Sequence, residues 1–130
     1  MARARSTGVS AAGTVGTTTL DVYGDPSRVT DALIDRYFEL TTRAGNRDAL
    51  VARFEQTKSG PLAARVGEVT APTLILWGSE DRLIPRESGG RFAREIRGSR
   101  LVMLDGLGHV PHEEDPAASL APVLAFLRER

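Results

Sequence analysis

The chain has 130 residues, 41% of them hydrophobic and 26% charged, with 17 basic against 17 acidic side chains, the composition of one ordinary soluble domain. Lacking cysteine and holding two histidines, it offers no disulfide framework, no thiolate nucleophile and no multi-histidine metal site. A formal charge of zero with no basic cluster disfavours nucleic acid as a partner, and the apolar run around Leu74 to Trp77 is far short of the roughly 20 residues of a membrane span, so no membrane partner is expected.

Residues 1–20 contain no acid, begin with two arginines and continue as a Gly/Thr/Ser-rich stretch without apolar periodicity. This composition predicts a disordered tail; its acid-free, hydroxyl-rich start also has the look of a transit peptide. The absence of cysteine leaves the compartment open, and the expectation is cytoplasmic.

Asp25-Pro26 and Thr30 are helix-starting residues. Leu33, Ile34, Tyr37 and Phe38 then recur at helical spacing, which predicts a helix over 31–42. Gly45-Asn46 ends it, and Leu50, Val51 and Phe54 form the stripe of a second helix over 47–57, stopped by Ser59-Gly60-Pro61. Both helices precede any strand and need something else to lie against.

Thr73 to Trp77 (TLILW) is a continuous apolar run between Pro72 and Gly78, the pattern of a strand buried on both faces in a parallel sheet. A helix over 87–97 follows, with Phe92, Ala93 and Ile96 on one side, then a second run, Leu101 to Leu104. Asp115-Pro116 starts a last helix whose apolar positions are Leu120, Val123, Leu124 and Leu127. Trp77 is expected in the core. Strand, helix, strand, helix makes an α/β unit.

In open parallel sheets functional groups sit just past the carboxyl ends of the strands. Trp77-Gly-Ser-Glu-Asp81-Arg-Leu-Ile-Pro85 follows the first run, and Asp105-Gly-Leu-Gly-His109-Val-Pro-His-Glu-Glu-Asp-Pro116 follows the second. An aspartate and a histidine on neighbouring strand ends can meet. Taken singly, each residue has a plainer role, Asp81 as a turn or capping group and His109 as a structural one. His112 reads as a surface residue. Glu80, Glu113 and Glu114 read as solvated or helix-starting acids.

Residues 61–130 resemble the C-terminal part of the α/β-hydrolase fold family, whose members read similarly as Pro-Thr-Leu-x-x-x-Trp/Gly-Gly-x-x-Asp-x-x-x-Pro and then Gly-x-Gly-His-x-x-x-x-Glu-x-Pro. The resemblance implies that Asp81 is the triad acid and His109 the base, that residues 21–60 are a helical cap or lid remnant, and that 61–130 are the C-terminal core segment. Residues 1–20 carry no resemblance of their own. The implied chemistry is esterase-like acyl transfer to water. A serine hydroxyl needs an imidazole to take its proton, and a carboxylate on the other ring nitrogen fixes the tautomer. Gly106 and Gly108 would let the backbone turn sharply and present the ring. No cofactor or metal is implied.

The family's nucleophile lies on a Gly-x-Ser-x-Gly elbow that also supplies part of the oxyanion hole. No serine here, at positions 6, 10, 27, 59, 79, 88, 99 or 119, has glycine both two before and two after; Ser10 has Gly8 but Ala12. The expectation is therefore a C-terminal fragment of a hydrolase, from a truncated, frameshifted or split gene, inactive alone. Its expected partners are the small-molecule substrate of the full-length enzyme and either the missing N-terminal half or a second copy at the open sheet edge. The alternatives are a noncatalytic interaction module on the same scaffold and an unrelated small α/β domain.

Overall fold

The computed structural model describes residues 19–56 and 61–129. The tail expected over 1–20 lies outside these except for Thr19 and Leu20, which are helical, with Thr19 buried. Asp25 caps a 3-10 turn, Pro26–Arg28, by accepting from the Ser27 N–H at 2.9 Å. Helix α1, Asp31–Thr42, has the predicted bounds, with the Thr30 hydroxyl accepting from the Leu33 N–H as its N-cap. Helix α2, Asn46–Gln56, follows Gly45, which takes the left-handed conformation (φ +84°). The two helices pack on one another. Leu33, Ile34, Tyr37 and Phe38 are half-buried as the stripe predicts, whereas Leu50, Val51 and Phe54 are half or more exposed.

A 3-10 helix, Pro61–Glu68, leads to strand β1, Leu74–Gly78. The residues over 61–68 carry no periodicity that predicts an element, and 3-10 helices come in short pieces with poorer hydrogen-bond geometry. Helix α3, Glu87–Glu95, crosses to β2, Arg100–Leu104, which pairs parallel to β1 with Leu74 opposite Arg100 and Gly78 opposite Leu104. The short helix α4, Pro111–Glu114, and the long α5, Pro116–Arg128, close the chain. Asp115 caps α5 by accepting from the Ala118 N–H at 2.9 Å.

Two expectations change. Strand β1 is half-buried rather than buried on both faces, because among the described residues β2 is its one neighbour. The inward stripe of α5 is Ser119, Pro122, Val123 and Phe126, one position round from the expected one, and Leu120, Leu124 and Leu127 are exposed. The helix is apolar on two faces, and the described residues cover one.

Trp77 is half-buried rather than central. Its indole lies on Gly89, where an added Cβ would meet the ring at 3.0 Å, and 6.2 Å from the Phe92 ring centroid. It lines an open apolar groove of about 300 Å³ with Ala63, Val66, Ile84 and Phe92. The buried apolar residues are Tyr23, Ile96, Leu104 and Leu107. Tyr23, Leu104 and Leu107 lie where the segment before α1 meets the end of β2, which is where the site sits.

Candidate active site

The β1 end leads into a loop that places Asp81, and the β2 end into one that places His109. The loops are stitched together: Ser79 N–H donates to Leu104 O at 3.0 Å, Glu80 N–H to Leu107 O at 2.9 Å, and Gly106 N–H to the Ser79 hydroxyl at 2.9 Å. Gly106 turns with φ +70°, a conformation that costs a Cβ-bearing residue steric strain. The glycine at 108 has a different reason. An added Cβ there would sit 2.4 Å from the Gly24 nitrogen and 2.5 Å from the Val22 carbonyl oxygen.

Asp81 Oδ2 lies 3.0 Å from His109 Nδ1. The other carboxylate oxygen, Oδ1, accepts from the Leu83 and Ile84 N–H groups, each at 2.9 Å, so the side chain is fixed from both ends. It is 5% exposed, while the imidazole is 34% exposed and borders a cavity of about 120 Å³ lined by Leu76, Trp77, Gly78, Asp81, His109 and Pro111. Burial is the largest single influence on Asp81 and pushes its pKa up. The Ile84 amide, the His109 ring and the Leu83 amide together outweigh it, and the carboxyl sits below its ordinary value of 3.8.

A depressed carboxyl pKa stabilises the folded chain fully above the ordinary value and ceases to do so as pH falls through the folded one. The stability difference between wild type and Asp81→Asn should therefore hold at neutral pH and shrink once the pH drops below about 4. Urea unfolding at several pH values checks this. A difference independent of pH down to full acid unfolding would refute it.

Sequence reasoning missed Glu113 and Glu114. Of the two roles expected for them, the helix-starting one holds, since both lie in the first turn of α4, but the solvated one does not: Glu114 is buried and Glu113 half-buried. Glu113 Oε2 accepts from the Tyr37 hydroxyl at 2.9 Å and the Tyr23 hydroxyl at 3.3 Å, tying α1 to α4. Burial first, and then the hydrogen bond and charge of Glu113, push the Tyr37 phenol up to about 12. Glu114 reaches the backbone of the histidine loop. The signal in the sequence was its match, five residues after His109, to the glutamate of the Gly-x-Gly-His-x-x-x-x-Glu-x-Pro pattern. His112 and Glu80 are exposed, as expected. Among the described residues no cluster of His, Asp or Glu is arranged to hold a metal ion, and no helix is long and apolar enough to cross a membrane.

A family model described as "Alpha/beta hydrolase family" matches residues 2–123. The chain belongs to the α/β-hydrolase family. The match begins inside the stretch 1–20 that showed no resemblance by its own residues. A 2-hydroxy-6-oxononadienedioate/2-hydroxy-6-oxononatrienedioate hydrolase of Klebsiella pneumoniae is 35% identical over 106 residues, and that of Escherichia coli 33% over 108; each match covers 79% of this chain and 37% of the relative. Among solved structures, a serine hydrolase involved in carbazole degradation superposes with a TM-score of 0.82 at 24% identity, covering 92% of this chain and 48% of the other. A meta-cleavage product hydrolase of Pseudomonas fluorescens gives 0.75 at 21% identity, with 92% and 46% covered. The match thus spans 37% of these curated relatives and just under half of these solved chains, and the chain's parallel strands with flanking helices are part of an α/β-hydrolase fold.

Proposed function

We propose that this chain carries the acid and base of a Ser-His-Asp hydrolase, with Asp81 as the acid and His109 as the base. The observation that carries the reading is the 3.0 Å contact between Asp81 Oδ2 and His109 Nδ1 past the ends of two parallel strands. With Nδ1 engaged, Nε2 is the nitrogen left to take a serine proton and return it to the leaving group, while the carboxylate stabilises the imidazolium. Histidine suits this work because its ordinary titration lies nearest neutrality.

The sequence holds no Gly-x-Ser-x-Gly elbow, so the nucleophile and oxyanion hole belong to the part of the fold that relatives have and this sequence does not. The open edge of β1 and the apolar groove beside Trp77 are the surfaces that part would cover, since unpaired strand edges accept a further strand. The names of the relatives support an oxo-dienoate dicarboxylic acid as the substrate class. Simple activated esters would report the same acyl chemistry.

Mixing the chain with the unmatched N-terminal portion of the Escherichia coli relative tests this. The mixture should hydrolyse 2-hydroxy-6-oxononadienedioate or an activated ester, and Asp81→Asn should lower turnover by about 10⁴-fold, the loss seen when a triad acid is neutralised without disturbing its geometry. A stable complex without hydrolysis, or one indifferent to Asp81→Asn and His109→Ala, would favour the noncatalytic interaction module instead.

A further inference from the structure

The loop that presents His109 buries the side chain of Leu107. Its glycines bring it directly against two other pieces of backbone. An added Cβ on Gly78 would meet the Gly108 carbonyl oxygen at 2.1 Å and the Leu107 carbonyl oxygen at 2.2 Å, and one on Gly24 would meet the Gly106 carbonyl oxygen at 2.4 Å and the Gly108 nitrogen at 2.8 Å. The histidine loop is therefore sandwiched between the end of β1 and the segment 22–24. Close approach of this kind puts the N–H groups of Gly24, half-buried, and Gly108, buried, side by side, and donors drawn from water need acceptors.

One carboxylate supplies both. Glu114, 7% exposed, accepts from the Gly108 N–H through Oε1 at 2.6 Å and from the Gly24 N–H through Oε2 at 2.8 Å. Its own carbonyl oxygen accepts from Arg28 Nη1 at 2.7 Å, which anchors the end of α4 to the 3-10 turn after Gly24. The next residue after Gly108 is His109, whose N–H donates to the Val22 carbonyl oxygen at 2.8 Å. Arg82, one residue beyond Asp81, donates to the Gly24 carbonyl oxygen at 3.3 Å. The segment 22–24 thus touches the histidine loop and the aspartate loop, and Glu114 is the side chain that binds it to the former.

We propose that Glu114 is the positioning residue of this site: its carboxylate clamps the Gly24 and Gly108 amides together and so fixes the height and direction at which His109 meets Asp81. A charged acceptor holding two amide donors is stronger than neutral pairs. Glutamine cannot replace it, because its amide offers one acceptor oxygen and turns an NH₂ donor toward the second N–H. The inference rests on the reading of Asp81 and His109 as a working pair, but its test reads the imidazole and the two amides directly, without any turnover.

In ¹⁵N-labelled full-length chain, wild type should show His109 mainly as the tautomer protonated at Nδ1, toward Asp81, and slow hydrogen exchange at Gly24 and Gly108. In Glu114→Gln, with the cooperative melt retained, the His109 tautomers should mix, and exchange at one or both amides should rise roughly tenfold or more, while the exposed His112 stays as it was. If Glu114→Gln does not fold, the same signals are read in Glu114→Asp, which keeps the charge but is one methylene too short to hold both amides. Scalar couplings across the two hydrogen bonds are read in the wild type in either case. Unchanged His109 tautomer and amide exchange in a folded variant, or absence of either coupling in the wild type, would overturn the proposal.

Discussion

A serine-directed phosphonate is expected to leave the purified chain unlabelled, and activated esters should be hydrolysed no faster than by free imidazole. The described serines near the site are committed elsewhere. Ser79 donates to Asp105 at 3.3 Å and accepts from the Gly106 N–H; Ser119 is buried and donates to the Pro111 carbonyl oxygen at 2.7 Å; Ser27 donates to Asp25 at 2.7 Å. Ser10, the nearest match to an elbow, lies outside the described residues. With no Gly-x-Ser-x-Gly elbow in the sequence, an imidazole oriented by a carboxylate would act on water alone. The family's oxyanion donors come from the elbow and from an earlier loop, so transition-state charge would have nothing preorganised to meet it. Losing the serine of such a triad lowers turnover about a millionfold even where the oxyanion hole remains. Stoichiometric labelling abolished by Ser10→Ala would place the nucleophile in this chain and reverse the expectation.

Gly108→Ala should be strongly destabilising. The new Cβ would lie 2.4 Å from the Gly24 nitrogen and 2.5 Å from the Val22 carbonyl oxygen, and both are backbone atoms held by further hydrogen bonds. No side chain can rotate away, so either segment 22–24 moves off or the histidine loop does. Both give up the Glu114 clamp and the His109–Val22 bond. Overpacking of this kind costs about 3 kcal/mol or more, a large share of the roughly 5 to 15 kcal/mol that keeps a domain folded, and should lower the melting temperature by on the order of 10 °C. Gly90→Ala is the control. Its Cβ would find the movable Arg94 guanidinium at 3.4 Å, and alanine in helix α3 should gain up to about 1 kcal/mol. Calorimetry of the two variants decides the matter; a Gly108→Ala melt matching wild type would mean that the loop has room to yield.

Local rules fixed much of this molecule. Thr30 and Asp115 had to start helices because their side chains satisfy amides that the first turn leaves bare, and the structure starts α1 and α5 there. The runs TLILW and LVML read as strands because they are too short for a helix and are flanked by breakers, and the structure has β1 and β2 there. Asp81 and His109 were legible as a pair from two motifs at strand ends, and the structure brings them to 3.0 Å. Faces were less legible. The stripe of α5 is apolar on both candidate sides, so sequence alone could not choose Ser119, Pro122, Val123 and Phe126 over Leu120, Leu124 and Leu127. That choice depends on which neighbour arrives. The fate of Glu113 and Glu114 was hidden for the same reason. A carboxylate on a short helix is a surface group by default, and becomes a buried clamp only when Gly24 and Gly108, 84 positions apart, bring two amide donors to it. Short-range chemistry thus set the elements and put Asp81 and His109 past neighbouring strand ends, while long-range backbone contact, which leaves no periodic trace in a sequence, decided what holds them in place.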